Sequence, residues 1–191
     1  ICVWLITLQH PLSIGVGVLG ILLVLACSYY GLIMVEPNET RVMIFFGKYK
    51  GTLTENGFFW TNPFYSTRRI PIRARNLDLE PVKVNDKVGN PIMIGAVLVW
   101  RVKDTYKATF DIDTGRMTVM AACANFVKIQ SDAALRQVAG MYAYDNDNNT
   151  DDEITLRSDG DEVSERLEEE LNSRLAIAGI EVIEARINDL A

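Results

Sequence analysis

The fold is decided by residues 158–187, which read SDGDEVSERLEEELNSRLAIAGIEVIEARI. Apolar residues recur there at every fourth position, which predicts one buried stripe on an α-helix over 158–179. Asp159, Asp161 and Glu162 favour the start of this helix through its dipole, and Gly179 supplies a C-cap. Ile180–Ile187 then alternates as a β-strand, so we expect the helix to pack back against a sheet. The apolar stripe consists of Val163, Leu167, Leu171 and Leu175.

Two further strands precede this helix and strand. Leu79–Asn85 and Pro91–Val102 are joined by five residues, 86–90, which predicts a β-hairpin. Both alternating sets of side chains in Pro91–Val102 are largely apolar, so we expect a central strand that is covered on both sides. Between the hairpin and the helix of 158–179, Met117–Gly140 has helical spacing.

Short strands and aromatic residues occupy the region before the hairpin. Thr40–Phe46 and Phe58–Trp60 read as strands separated by glycine turns. Eight of the seventeen aromatic residues of the chain fall between Phe45 and Tyr65. A small aromatic core explains this cluster, and contact with a lipid interface is the alternative. For that alternative the candidate residues are Trp60, Phe64, Tyr65, Arg68 and Arg69.

Residues 1–35 carry no Asp, Glu, Lys or Arg, whereas every charged residue lies in 36–191. We therefore predict a membrane anchor over 1–35, with a spanning helix over 12–35 and two tyrosines near its interfacial end. A secretory signal peptide fits less well because no positive charge precedes the apolar run. The residues assigned to the membrane are Leu12, Ile14, Val18, Ile21, Leu22, Leu23, Val24, Leu25, Tyr29 and Tyr30.

A second apolar run, Ile1–Leu8, precedes Pro11. We expect it to be the end of an earlier membrane helix that forms a hairpin with the spanning one, and a single helix with a kinked start is the alternative. Arg41, Lys48 and Lys50 follow the anchor closely, which favours the cytoplasmic side for the remainder of the chain.

Charge is unevenly distributed beyond the anchor. Residues 36–75 hold seven basic and three acidic residues, whereas 76–191 hold twelve basic and twenty-two acidic ones. The basic stretch suits a surface with anionic lipids. The net charge of −6 and the adjacent anchor argue against nucleic acid as the partner.

Motifs of catalysis are missing from the sequence. His10 is the only histidine and lies at the anchor, and the acidic residues cluster where nothing would raise a pKa. Gly15–Gly20 matches G-x-G-x-x-G but lies inside the apolar run, without the strand and helix that a dinucleotide site needs. The loop 145–153 has Thr150 and Leu156 where a calcium loop needs glycine and glutamate. We expect no enzyme activity, no cofactor and no metal site.

Three segments in order resemble the SPFH, or Band 7, superfamily of stomatin, prohibitin, flotillin and HflK/C, and look most like its bacterial membrane-anchored members. These are VEPNETRVMIFFGKYKGTLTENGFFWTNPF at 35–64, LEPVKVNDKVGNPIMIGAVLVWRVKD at 79–104 and RSDGDEVSERLEEELNSRLAIAGIEVIEARINDLA at 157–191. Residues 114–125, TGRMTVMAACAN, depart from the usual linker.

The resemblance implies an α+β fold in which two small α/β subdomains follow the transmembrane helix or hairpin. We expect a membrane-proximal β-rich subdomain over 36–105, a second subdomain over 106–191 and a long helix beyond residue 191.

The resemblance also implies a non-enzymatic scaffold that assembles into a large ring or cage and confines lipids and membrane proteins in a microdomain. An adaptor or regulator of a membrane-bound AAA protease or channel is the alternative. The expected partners are membrane lipids, other copies of the chain and a membrane protease, at the cell membrane, specifically a bacterial inner membrane. Subunit packing is assigned to Val163, Leu167, Leu171 and Leu175.

Overall fold

The structure, a computed structural model, describes residues 11–144, 155–156 and 160–190. Only the backbone is described for residues 11–14, 27, 189 and 190. The chain divides into an N-terminal unit, Ile1–Arg69, and a C-terminal unit, Ile70–Ala191. This division differs from the expected boundary between residues 105 and 106, because the strand Pro91–Val102 pairs both with Arg75–Asn85 and with Ile180–Leu190 in one sheet.

The N-terminal unit begins with a helix and continues as two small sheets. One sheet is an antiparallel ribbon of two strands, and the other has three strands with β2 in the middle. The boundary between the two units falls within the last strand. The elements are α1 (Pro11–Tyr30), β1 (Leu32–Val35), β2 (Glu39–Phe45), β3 (Lys48–Leu53), β4 (Gly57–Trp60) and β5 (Tyr65–Pro71).

The predicted spanning helix over 12–35 was wrong at its C-terminal end. α1 ends at Tyr30, and residues 32–35 form β1, which pairs with β4. The apolar run continued through both elements, so hydropathy could not detect the change from helix to strand. No helix within the described residues is both long and apolar enough to cross a bilayer. The run Ile1–Leu8 and the predicted helical hairpin lie outside the described residues.

The C-terminal unit is a three-stranded antiparallel sheet with helices. β7 lies between β6 and β8, so the predicted central position of Pro91–Val102 is confirmed. The predicted hairpin loop 86–90 joins β6 to β7. The elements are β6 (Arg75–Asn85), β7 (Pro91–Val102), α2 (Thr105–Phe110), α3 (Val119–Ala139), α4 (Gly160–Leu175), a 3₁₀ turn (Ala176–Ala178) and β8 (Ile180–Leu190).

One face of β7 forms the core of the C-terminal unit. Ile94, Leu98 and Trp100 are buried on that face. The opposite face is only partly covered, since Val97 and Val99 are half-buried and Met93 is exposed. The prediction that both faces are covered was therefore wrong among the described residues.

The apolar stripe of α4 belongs to the same core. Val163, Leu167, Leu171 and Leu175 are fully buried within the chain, and each contributes about 2 kcal/mol through loss of water contact. Their assignment to packing between subunits was wrong, because a side chain that fills the core of its own domain presents no surface to a second copy. The Asn172 amide also holds α4 to β8, since it donates to Val182 O (3.2 Å) and accepts from Val182 N (2.9 Å).

A buried aspartate holds the β6–β7 loop. Asp86 Oδ1 accepts hydrogen bonds from the backbone N–H groups of Gly89 and Asn90, both at 2.7 Å. Its Oδ2 accepts from Tyr144 N at 3.2 Å, and Lys87 N donates to Tyr142 O at 3.1 Å. Asp86 thus fastens the hairpin loop to the segment that follows α3. The acidic loop 145–153 considered for calcium lies outside the described residues.

Gly179 lets the end of the 3₁₀ turn approach α2. Its φ is +67°, and a Cβ there would lie 2.5 Å from Asp104 O. Gly115 has a φ of +48° but no atom within 4 Å of such a Cβ. Gly179→Ala is therefore expected to lower the free energy of unfolding by about 3 kcal/mol, and Gly115→Ala by only about 1 kcal/mol, the ordinary cost of a left-handed alanine. Urea unfolding of the full chain in detergent measures both, and equal losses would contradict the close approach.

The hydrogen bonds of the Asp86 carboxylate predict that the folded protein loses stability in acid. Burial raises the pKa of its carboxyl, but hydrogen bonds from Asn90 and Tyr144 outweigh burial, so the pKa lies below the ordinary value. A lowered folded-state pKa contributes stability above about pH 4 that is lost as the pH falls through the folded-state pKa. Asp86→Asn is expected to cost about 2 kcal/mol at neutral pH and progressively less below pH ~4.

The measurement is the free energy of unfolding against pH for the wild type and the variant. Asp78→Asn is the matched control, since Asp78 is an exposed aspartate on β6. A constant difference between Asp86→Asn and the wild type across the acid range would contradict the role assigned to this carboxylate.

Candidate membrane-contact surface

A chain of contacts brings the end of α1, the β4–β5 loop and the tip of the β2–β3 hairpin together at one end of the N-terminal unit. Thr61 N donates to Gly31 O at 2.7 Å, directly after α1. A turn closed by Tyr65 N and Asn62 O (3.0 Å) follows, and the Tyr65 ring lies edge-on to Phe45 with centroids 5.3 Å apart. The end of α1, the end of β4, the start of β5 and the tip of the β2–β3 hairpin therefore share one end of the unit.

Large apolar side chains are exposed at this end, which we call the aromatic end. Tyr29 and Tyr30 close α1, Trp60 ends β4 and Phe64 precedes β5. Trp60 is 63% and Phe64 is 68% exposed. Exposed apolar residues grouped in this way indicate a contact surface rather than a core.

The β1–β4 ribbon extends the same surface. Leu32 pairs with Trp60 and Met34 pairs with Phe58, and all four side chains are exposed on one face. The opposite face of the ribbon carries the buried Val35. One side of the ribbon is therefore a continuous apolar surface that starts where α1 ends.

The tip of the β2–β3 hairpin is unusual. It turns through Phe46 and Gly47, whose φ angles of 45° and 83° are both positive, as in a type I′ turn. Such turns favour Asn, Asp or Gly, and a left-handed phenylalanine costs about 1 kcal/mol or more. The Phe46 ring stands edge-on to Phe45, with centroids 4.7 Å apart, and is 81% exposed. A bulky apolar side chain thus occupies a strained position that faces solvent.

The other end of β2 is polar. The chain reverses between Glu36 and Glu39, and Arg41 Nη2 donates to Met34 O at 2.9 Å, so β2 returns alongside β1. Arg69 donates from Nε to Glu39 Oε1 (2.6 Å) and from Nη2 to Glu36 Oε1 (3.2 Å). The hydrogen bond to Glu39 is the largest cause that raises the pKa of Arg69. Ion pairs therefore gather at the end of β2 opposite to Phe46.

The structure separates the residues that the sequence grouped as a membrane-surface contact. Trp60 and Phe64 lie exposed at the aromatic end, as that hypothesis requires. Tyr65 is half-buried against Phe45, and Arg69 is ion-paired at the polar end of the unit. Arg68 is exposed in β5, and its side chain has no hydrogen bond or ion pair to a described residue.

Sequence reasoning missed four members of this surface. Leu32 and Met34 were counted in the apolar run, because nothing local marks the start of β1. Phe58 was read only as part of an apolar strand, although its two-residue spacing from Trp60 places both on one face. Phe46 was placed at the end of a strand, and the signal that could have identified it is Gly47, which marks a two-residue turn between two strands.

The predicted membrane residues that are described all belong to α1. Side chains of Leu12 and Ile14 lie outside the described part. Residues 21–25 are all exposed, and at 3.6 residues per turn these five positions cover the whole circumference of the helix. Further exposed members are Val18, Tyr29 and Tyr30.

Cys123 shows no sign of chemical activation. It is fully buried in α3, and burial raises the pKa of its thiol to about 11. The thiol therefore stays protonated at neutral pH, so Cys123 serves in packing rather than in chemistry.

Comparison with known protein families identifies the family of this chain. A sequence model of the SPFH domain / Band 7 family matches residues 33–191, the whole chain beyond the first 32 residues. A search of curated proteins found no significant match. Members of this family are generally non-enzymatic, membrane-associated scaffolds. By the extent of the match and the order of its elements, this chain belongs to the SPFH domain / Band 7 family.

Proposed function

We propose that this protein is a non-enzymatic scaffold that is held at a membrane by α1 and rests on the lipid surface through the aromatic end. The observation that carries the proposal is the gathering of exposed apolar side chains where α1 ends. Tyrosine and tryptophan favour the boundary between water and lipid, because one part of each ring system is apolar and another part is polar.

α1 supports the membrane attachment by itself. A helix that faces water on one side has polar residues there, whereas α1 is apolar around its whole circumference. Immersion in the apolar phase of a bilayer removes this surface from water. Arg41, Lys48 and Lys50 follow soon after and favour the cytoplasmic side for the two folded units.

The scaffold acts as a closed homo-oligomer at the cell membrane. The α1 helices of its copies form a ring that encloses a patch of lipid and membrane proteins. Family membership supports this part of the proposal. The interface between copies lies outside the α4 stripe, because that stripe is used within the chain.

Fluorescence tests the lipid contact of the aromatic end. We expect lipids with brominated acyl chains to quench Trp60 in the reconstituted full chain, since bromine quenches only indoles that reach the lipid. Trp60→Phe should remove a quenchable part of the emission. Trp100→Phe is the matched control and should remove an unquenched part, because Trp100 is buried in the C-terminal unit. Equal quenching of the two variants would contradict the lipid contact of the aromatic end, and release of the wild type by alkaline carbonate would contradict membrane attachment by α1.

Cross-linking in native membranes tests the assembly. An amine-reactive reagent is expected to give species far above the dimer, because a closed ring places every copy beside two neighbours. Prior dissolution in SDS is the control and should leave monomer only. Monomer in native membranes would contradict the scaffold, whereas a stoichiometric membrane protease recovered with small oligomers would favour an adaptor of that protease.

A further inference from the structure

The tip of the β2–β3 hairpin carries an exposed aromatic side chain beside two exposed lysines. Phe46 projects from the turn, and its ring contacts the Phe45 ring edge-on. The Phe45 ring also contacts the Tyr65 ring. Lys48 begins β3 opposite Phe45, and Lys50 follows two positions later. Both lysines are exposed, and neither has an ion pair to a described residue. The tip therefore presents the Phe46 ring and two ammonium groups that no described residue engages in an ion pair.

The position of the tip indicates what it contacts. Phe46 lies at the aromatic end, linked to the end of α1 by the contacts through Phe45, Tyr65 and Thr61. The acidic side chains Glu36 and Glu39 lie at the opposite end of β2, where Arg69 engages them. A lipid surface with anionic headgroups matches this arrangement, because phosphates pair with lysines while an aromatic ring enters the boundary below them.

We propose that the β2–β3 tip is a charge-dependent lipid contact, in which Phe46 enters the headgroup region and Lys48 and Lys50 bind anionic lipid phosphates. The inference rests on the proposed membrane attachment and adds a lipid class to it. The turn strain at Phe46 is the cost of keeping an apolar side chain where Asn or Gly would fold more easily. Attachment by α1 is independent of lipid charge. How closely the aromatic end of the N-terminal unit contacts the lipid surface depends on that charge.

Photo-cross-linking of the reconstituted full chain tests the contact. Phe46 is replaced by p-benzoylphenylalanine in vesicles of phosphatidylcholine alone or of phosphatidylcholine mixed with phosphatidylglycerol, and adducts are identified by mass. We expect lipid adducts whose yield rises several-fold in the anionic vesicles. The same replacement at Val88 is the matched control, since Val88 is 71% exposed at the β6–β7 loop of the C-terminal unit and should give no such rise.

Neutral substitutions separate the two parts of the tip. The double substitution Lys48→Gln and Lys50→Gln should abolish the rise in lipid-adduct yield in anionic vesicles. It should leave the lipid-adduct yield in neutral vesicles unchanged. An adduct to a second copy of the chain, an absence of lipid adducts, or equal yields in the two lipids would overturn the proposal. If Trp60 is still quenched by brominated lipids in that case, the membrane attachment stands and only the tip contact fails.

Phe46→Asn distinguishes a lipid contact from a structural role. Asn suits the first position of a type I′ turn, so this variant should unfold at a higher Tm while the lipid-charge dependence of Trp60 quenching declines. A lower Tm with unchanged lipid dependence would mean that Phe46 serves folding, and would overturn the proposal.

Discussion

The N-terminal unit depends on the close approach of two backbones at Gly31. Thr61 N–H donates to Gly31 O, and a Cβ at residue 31 would lie 2.5 Å from Thr61 O and 2.7 Å from the indole nitrogen of Trp60. Only glycine permits this distance. The contact sets the register of the β1–β4 ribbon at the point where α1 ends, and the ribbon face, the start of β5 and the hairpin tip take their positions from it.

The C-terminal unit has a different basis for its stability. One face of its sheet is buried by two helices, with α4 packed on β8 and α3 packed on β6, and the amide of Asn172 joins α4 to the edge strand β8. Two local interactions at the edges of the sheet also stabilise this unit. They are the hydrogen bonds of the Asp86 carboxylate in the hairpin loop and the close approach of Gly179 to α2. The C-terminal unit also exposes apolar side chains, among them Met93 and Ile177, whereas the exposed ones of the N-terminal unit are grouped at the aromatic end and along the β1–β4 ribbon.

This contrast carries the functional interpretation. An exposed aromatic surface is unfavourable in water, and the strain at Phe46 adds to that cost. Both features are reasonable for a surface that meets lipid, because the bilayer boundary accepts the rings and the nearby lysines meet its phosphates. Membership of the SPFH domain / Band 7 family is consistent with the same conclusion.

The local periodicity of apolar residues in the sequence was enough to predict many of the secondary-structure elements. The stripe of α4, the alternation in β8, the five-residue loop between β6 and β7 and the apolar character of α1 were all readable because each depends on neighbours within a few residues. Tertiary structure decided the rest. The strand identity of Leu32–Val35 and the placement of Arg69 away from Trp60 depend on pairing between segments about 20 to 30 residues apart. Composition cannot distinguish a helix end from a strand, or a core aromatic from an exposed one, until those partners are in place.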